Sequence, residues 1–207
     1  MKVAVFGAAG RTGVEVIRAA LAKGHEVTAV VRDASAVTEE KVTVAVADVH
    51  DQDQVTAAVA GVDAVISTLG GKPRQPTSVY SDGIVKITTA MRAAGARRLL
   101  CLSTGALDQS RTPAMQRFVQ GIIVKLVFKY GHADMGKMEE LLRDVDDLDW
   151  TVVRVPGLTA KAATGEYRVA PAPLDKPSMV ARADLADYLV AALDDADTYR
   201  RIMEISN

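Results

Sequence analysis

The chain has 207 residues, 49% of them apolar and 25% charged, with a formal net charge of −1 and a pI near 6.3. That length sets a prior of one domain with a sizeable core, and the near-neutral balance argues against non-specific binding to nucleic acid. A single cysteine excludes an internal disulfide framework; Cys101 sits in an apolar run, 99–102, and reads as a buried strand residue.

Residues 2–6 form an apolar run that stops at Gly7, and Gly10 and Gly13 follow before a helical pattern over 12–23 that Gly24 closes. A strand over 26–31 and another over 42–47 come next. Asp51 caps a helix that ends at Gly61. A strand over 64–67 precedes a long helix over 78–94, stopped by Gly95. Then come a strand over 98–102, a helix over 135–145, a strand over 150–154, a helix over 183–193 and a terminal strand over 201–205. Strand and helix alternate, and the strands are rich in Val, Ile and Leu with little polar alternation. That pattern predicts a doubly wound, mostly parallel α/β sheet buried on both faces. Loops over 70–76 and 171–177 are expected to line the crevice at the carboxyl ends of the strands.

The first strand is expected to begin at residue 2, and no leader is expected before it. The longest other apolar run, 121–128, is too short and too charged at its flanks to cross a membrane. The expected compartment is the cytoplasm, with neither a membrane nor a nucleic acid as partner.

The glycine loop has the spacing G-x-x-G-x-x-G between a strand and a helix. Gly7 permits the sharp turn, Gly10 lets backbone approach a phosphate, and Gly13 lets the helix lie close to the sheet. A dinucleotide pyrophosphate fits such a helix N-terminus. Arg32 is the first polar residue after the second strand, where an acid would select the ribose hydroxyls of NAD. A guanidinium there suits a 2′-phosphate, with Arg11 approaching from the loop. Asp33, one residue later, can still reach the ribose, and a solvated strand-end charge is the plain alternative for Arg32. Asp48 is placed to accept from the adenine amine or to cap a turn. Leu69 and Gly70 are placed under the cofactor ribose, or simply in a glycine turn. Ser103 and Thr104 end the fifth strand, where a hydroxyl would face nicotinamide and substrate, or satisfy loop backbone groups.

The segments 7–13, 31–33, 47–49 and 102–104, with 138–142, 149–158 and 165–167 downstream, resemble the atypical short-chain dehydrogenase/reductase group over essentially the whole chain. The nearest relatives within it are the NADPH-dependent flavin reductase/biliverdin IXβ reductase-like and NmrA-like proteins. The resemblance implies a Rossmann-type single domain over 1–207 with a small C-terminal cap, its elements around 105–135 and 158–180. It implies cofactor contacts at Arg11, Thr12, Arg32, Asp48, Leu69 and Gly70, and a nicotinamide near Ser103 and Pro156-Gly157-Leu158. The full expected cofactor set is Gly7, Ala9, Gly10, Arg11, Thr12, Gly13, Arg32, Asp48, Val49, Thr68, Leu69, Gly70, Ser103, Pro156, Gly157 and Leu158, with Ser103 and Thr104 as the catalytic pair and no metal.

Typical members of that larger group carry a Tyr-x-x-x-Lys pair that protonates a carbonyl oxygen. Here Tyr130 is followed four residues later by Asp134, and Lys137 lies seven residues on. The missing pair argues against ordinary ketone chemistry. The resemblance to flavin and biliverdin reductases, which also lack it, implies hydride delivery to a planar conjugated acceptor (a flavin, tetrapyrrole or quinone), and Arg32 with Arg11 points to NADP(H), preferred over NAD(H), as the donor. The alternative is a non-catalytic NADP(H)-binding redox sensor of the NmrA type. A sugar-nucleotide epimerase would need the missing pair. His132 is a candidate proton donor. Asp134 reads either as a second one or as a charge at the N-terminus of its own helix. The amphipathic segment 113–130 reads as a core helix, a substrate lid or a dimer surface, so the chain is expected to be a monomer or homodimer.

Overall fold

The computed structural model describes residues 1–207, the Gln120 side chain excepted. In chain order the elements are β1 (Lys2–Phe6), α1 (Arg11–Ala22), β2 (Glu26–Val31), β3 (Thr43–Val46), α2 (Gln52–Val59), β4 (Ala64–Ser67), α3 (Ser81–Ala94) and β5 (Arg98–Thr104). They continue with α4 (Ala114–Ile123), α5 (Lys129–Arg143), β6 (Asp149–Val155), β7 (Leu158–Thr159), β8 (Arg168–Pro171), β9 (Val180–Ala181), α6 (Arg182–Ala191) and β10 (Arg201–Ser206). The sheet order is β3-β2-β1-β4-β5-β6-β10-β8, parallel except for β8, which runs antiparallel to β10.

Successive strand residues serve opposite layers. Ala4, Phe6, Val65, Leu99 and Val152 pack with Ile84, Ile87, Met91, Met138 and Leu142 from α3 and α5. Val3, Val5, Ile66, Leu100 and Val153 pack with Val16, Ile17, Leu185 and Leu189 from α1 and α6. Both faces are covered, so the strands read as continuous apolar runs rather than alternating ones. Edge strand β3 is the exception: Val44 and Val46 are 40% and 58% exposed.

Several expectations need correction. The ladder of β5 runs on through Ser103 and Thr104, which pair with Arg154 and Val155 of β6. Helix α5 starts six residues before the expected 135. Gly131 and Gly136 both lie inside it, where a Cβ would meet the Tyr80 ring at 3.8 Å and Leu107 at 3.5 Å, ordinary packing distances. Asp134 is consequently inside α5, not at its start. The cap region 158–180 holds a two-stranded sheet, β7 with β9, as well as β8. Because β8 runs antiparallel, the loop 172–177 leaves the opposite edge and doubles back, and Lys176 N donates to Arg111 O. Segment 113–130 is not a core helix: α4 and the π-helical turn after it (Val124–Phe128) are largely exposed. Among the described residues no helix is long and apolar enough to cross a membrane.

Candidate functional site

The chain leaves β1 for the α1/α6 layer and β4 for the α3/α5 layer, so a crevice opens between the carboxyl ends of these adjacent strands. The two loops touch at its floor. Gly7 has φ +75°, and a Cβ there would lie 2.7 Å from Thr68 O. Thr68 Oγ1 donates to Phe6 O at 2.9 Å, and Gly10 N donates to Gly7 O at 2.9 Å. A Cβ on Gly13 would lie 2.3 Å from Gly7 O and 2.8 Å from Ala8 Cα, so the first turn of α1 presses on the loop as only glycine allows.

Helix α1 begins at Gly10 with no side-chain cap and no acid in its first turn. Its neighbours differ. Asp51 Oδ1 accepts from Asp53 N and Gln54 N at the start of α2. Asp134, 3% exposed, accepts from Tyr80 N at 2.9 Å and from Ser81 N and Oγ at the start of α3. The carboxylate that looked like a dipole partner of its own helix thus caps a different one. The N–H groups of α1 remain open toward the crevice, which suits an anion.

Arg11 and Arg32 are both exposed, and among the described residues neither has a hydrogen bond or ion pair. Asp33 is committed locally: Oδ1 accepts from Ser35 N at 2.9 Å and Ser35 Oγ at 2.8 Å, which holds its carboxyl below the usual carboxylate value. Asp48 is exposed and accepts from His50 N. Val49 is buried and meets Leu69 across Gly83, where a Cβ would lie 3.0 Å from Val49 Cγ2 and 3.1 Å from Leu69 Cδ1. Tyr80 Oη accepts from Gly71 N and ties down the 70–76 loop; burial raises its pKa. Thr12 and Ala9 lie on the open side of the loop. The segments that carry these residues follow the carboxyl ends of the adjacent strands β1 to β4.

A second group lies at the ends of β5, β6 and β10. Ser103, Arg154 and Glu204 stand in register across the three strands. From α5, Glu139 accepts from Ser103 Oγ at 2.7 Å and from Arg154 Nε at 3.0 Å and Nη2 at 2.6 Å. Ser103 is 1% exposed, so its hydroxyl proton points at Glu139 rather than outward. Thr104 Oγ1 accepts from Ala106 N. His132 Nε2 meets Ala106 O at 3.2 Å. A Cβ on Gly105 would lie 2.6 Å from Glu204 Oε1 and 3.3 Å from Pro156 Cα, which brings the ends of β5 and β6 together over the buried Glu204. Val180 N donates to Gly157 O, joining the 156–158 turn to β9.

Reading the sequence alone missed Glu139, Arg154 and Glu204 as site residues. A lone arginine in the apolar run 150–155 signals a buried partner, and Glu139 falls on the same helix face as the buried Met138 and Leu142. By contrast Arg98, also buried, donates to Ala192 O, Leu193 O and Thr198 Oγ1 at the far end of the sheet and belongs to the scaffold.

A doubly wound parallel sheet with a glycine loop and an uncapped helix at its switch point defines a dinucleotide-binding protein. The match to the NAD(P)H-binding family model over residues 7–196 makes it more specific: the chain belongs to that family. The chain is 29% identical over 206 residues to the uncharacterized protein YwnB of Bacillus subtilis, covering 95% of this chain and 92% of that one. The same fold occurs in SP1627 of Streptococcus pneumoniae, a candidate NADH-flavin reductase, with TM-score 0.78 at 24% identity, covering all of this chain and 99% of that one. It occurs too in a short-chain dehydrogenase/reductase of Veillonella parvula solved in complex with NADP, with TM-score 0.80 at 16% identity, covering all of this chain and 94% of that one.

Proposed function

We propose that the protein is an NADPH-dependent reductase that passes hydride to a planar conjugated acceptor such as a flavin, tetrapyrrole or quinone. The observation that carries this reading is the pairing of an open, glycine-built crevice with an acid–base constellation unlike that of ketone reductases. At the end of β5 the serine is bonded to a Glu139–Arg154 ion pair, with no tyrosine–lysine pair beside it among the described residues. The names of the relatives, a reductase candidate among them, support the class.

In this reading the N–H groups of α1 and the backbone of Gly10 receive the pyrophosphate, and Arg32, with Arg11, receives the 2′-phosphate. Bound NADPH supplies the hydride. Leu69 and Gly70 lie beneath the ribose. Gly105 and Pro156-Gly157-Leu158 wall the nicotinamide side, and the Glu139 clamp on Ser103 and Arg154 keeps that wall rigid. Reduction of a conjugated ring needs no side-chain acid, and the proton comes from solvent.

The test is an acceptor screen that follows loss of reduced-nicotinamide absorbance with FMN, FAD, biliverdin and quinones, using NADPH and NADH in parallel. Turnover with at least one acceptor, faster with NADPH, is expected. Tight binding of both NADP⁺ and NADPH with no turnover on any acceptor would instead support a redox sensor.

A further inference from the structure

Eight of the fourteen large apolar side chains exposed on this protein fall between residues 115 and 130. Met115, Phe118 and Leu126 are each about two-thirds exposed or more, at 76%, 67% and 65%. A patch of this kind marks a surface that something covers.

The charge pattern of the segment says what. Residues 109–133 contain Arg111, Arg117, Lys125 and Lys129 and no Asp or Glu. The whole chain has 25 Lys and Arg against 26 Asp and Glu, so the remainder carries 21 against 26, a formal −5. The apolar strip is therefore a basic island on an acidic protein. A second copy is a poor occupant. Arg117 and Lys125 flank Gly121 at equal spacing, so an antiparallel self-pairing about Gly121 sets Arg117 against the partner's Lys125, like against like. An anionic bilayer offers both what the island lacks, an apolar layer and negative charge at its surface. The 15 residues from 114 to 128 are too few to span a hydrocarbon core, but suit a helix lying in the headgroup boundary.

We propose that α4 and the π-helical turn after it dock the protein on an anionic lipid surface. Phe118, Ile122 and Leu126 enter the boundary, and Arg117, Lys125 and Lys129 meet the phosphates. The segment is fastened to the loops around the crevice: Arg74 N donates to Val127 O at 3.0 Å and Gln116 Nε2 to Pro177 O at 3.1 Å. Docking therefore does not require the Rossmann core to rearrange, and it stands independently of the reductase reading.

The experiment is co-sedimentation of the full chain with vesicles of phosphatidylcholine alone or mixed with phosphatidylglycerol, at low and high salt. Binding is expected with the mixed vesicles, weakening with salt, and weak with phosphatidylcholine alone. The pairs Arg117→Glu/Lys125→Glu and Phe118→Ser/Leu126→Ser should each weaken it by about tenfold or more. Fluorescence of bound NADPH, unchanged in both variants, reports that they are folded. Equal binding to the two vesicle types, no loss in the variants, or protein left in the supernatant throughout overturns the proposal. If the protein also forms a dimer that Phe118→Ser dissociates while vesicles capture nothing, the face belongs to a second copy.

Discussion

The Glu139 carboxylate grips the Arg154 guanidinium with two hydrogen bonds, Nε to Oε1 at 3.0 Å and Nη2 to Oε2 at 2.6 Å, with both side chains buried. The pair locks α5 to the central strands, and the same Oε1 accepts a hydrogen bond from Ser103 Oγ. Burying two charges is repaid only while both are present. Glu139→Ala should therefore destabilise the fold by about 3–5 kcal/mol, read as a shift in the urea unfolding midpoint. The double variant Glu139→Leu/Arg154→Met should be more stable than Glu139→Ala alone. If it is less stable, the pair is not the coupled unit described here.

The glycine loop makes a contrasting prediction because its constraint is steric. Gly13→Ala places a methyl 2.3 Å from Gly7 O and 2.8 Å from Ala8 O, both backbone atoms. The first turn of α1 must retreat, and the floor of the crevice moves with it. Stability should fall by about 1–3 kcal/mol, and NADPH and NADH should lose affinity together, as measured by titration calorimetry. Unchanged binding of both would show that this turn does not form the cofactor floor.

How much of this was legible in the sequence depends on the reach of each interaction. The bounds of β1, β2 and β4 agree with the sequence reading, because an apolar run ended by glycine, a charge or a Ser-Thr pair is a local signal. The glycine loop is local too. The apolar run of β5 stops at Leu102, and only pairing with Arg154 and Val155 carries the ladder on through the polar Ser103 and Thr104. Asp134 shows the limit most clearly. Its partners, Tyr80 and Ser81, are 54 and 53 residues away on α3, and no spacing rule links them. The Glu139–Arg154 pair was half legible: a charge inside an apolar strand announces a partner without naming it. Segment 113–130 is amphipathic in sequence, but whether its apolar side is covered is a matter of packing alone.

Glu204 ties pH to stability. It is 1% exposed, its Oε2 accepts from Leu174 N at 2.7 Å, and Arg154 and Asp108 are the charges that act on it. Burial, the largest influence, raises its pKa above the ordinary 4.5. A carboxyl with a raised folded-state pKa holds its proton more tightly folded than unfolded. Its contribution is thus complete below the unfolded value and declines as pH rises through the folded one. Glu204→Gln keeps an acceptor for Leu174 N without the charge. Relative to wild type, the variant should gain stability as pH rises above about 4.5, and the gain should level off once wild-type Glu204 is ionised. Unfolding midpoints at a series of pH values decide this, and a difference flat across the series would uncouple Glu204 from the titration.

If the 2′-phosphate reading is right, Arg32 should set cofactor choice. It directly follows β2, the strand beside the glycine loop, with its guanidinium exposed and without a partner among the described residues, while Oδ1 of the neighbouring Asp33 is bonded to Ser35. One oxygen of that acid, Oδ1, is thus engaged with Ser35, and the guanidinium beside it is a group suited to a phosphate. Arg32→Ala should weaken NADPH binding by about ten- to a hundredfold, the loss of a charge-assisted bidentate contact, and leave NADH almost unaffected. Because Arg32 is exposed, the melting temperature should not change, so any loss of affinity reports the contact itself. Equal losses for the two cofactors would mean that Arg32 shapes the crevice without reading the 2′-phosphate, and Arg11 alone would then remain as its ligand.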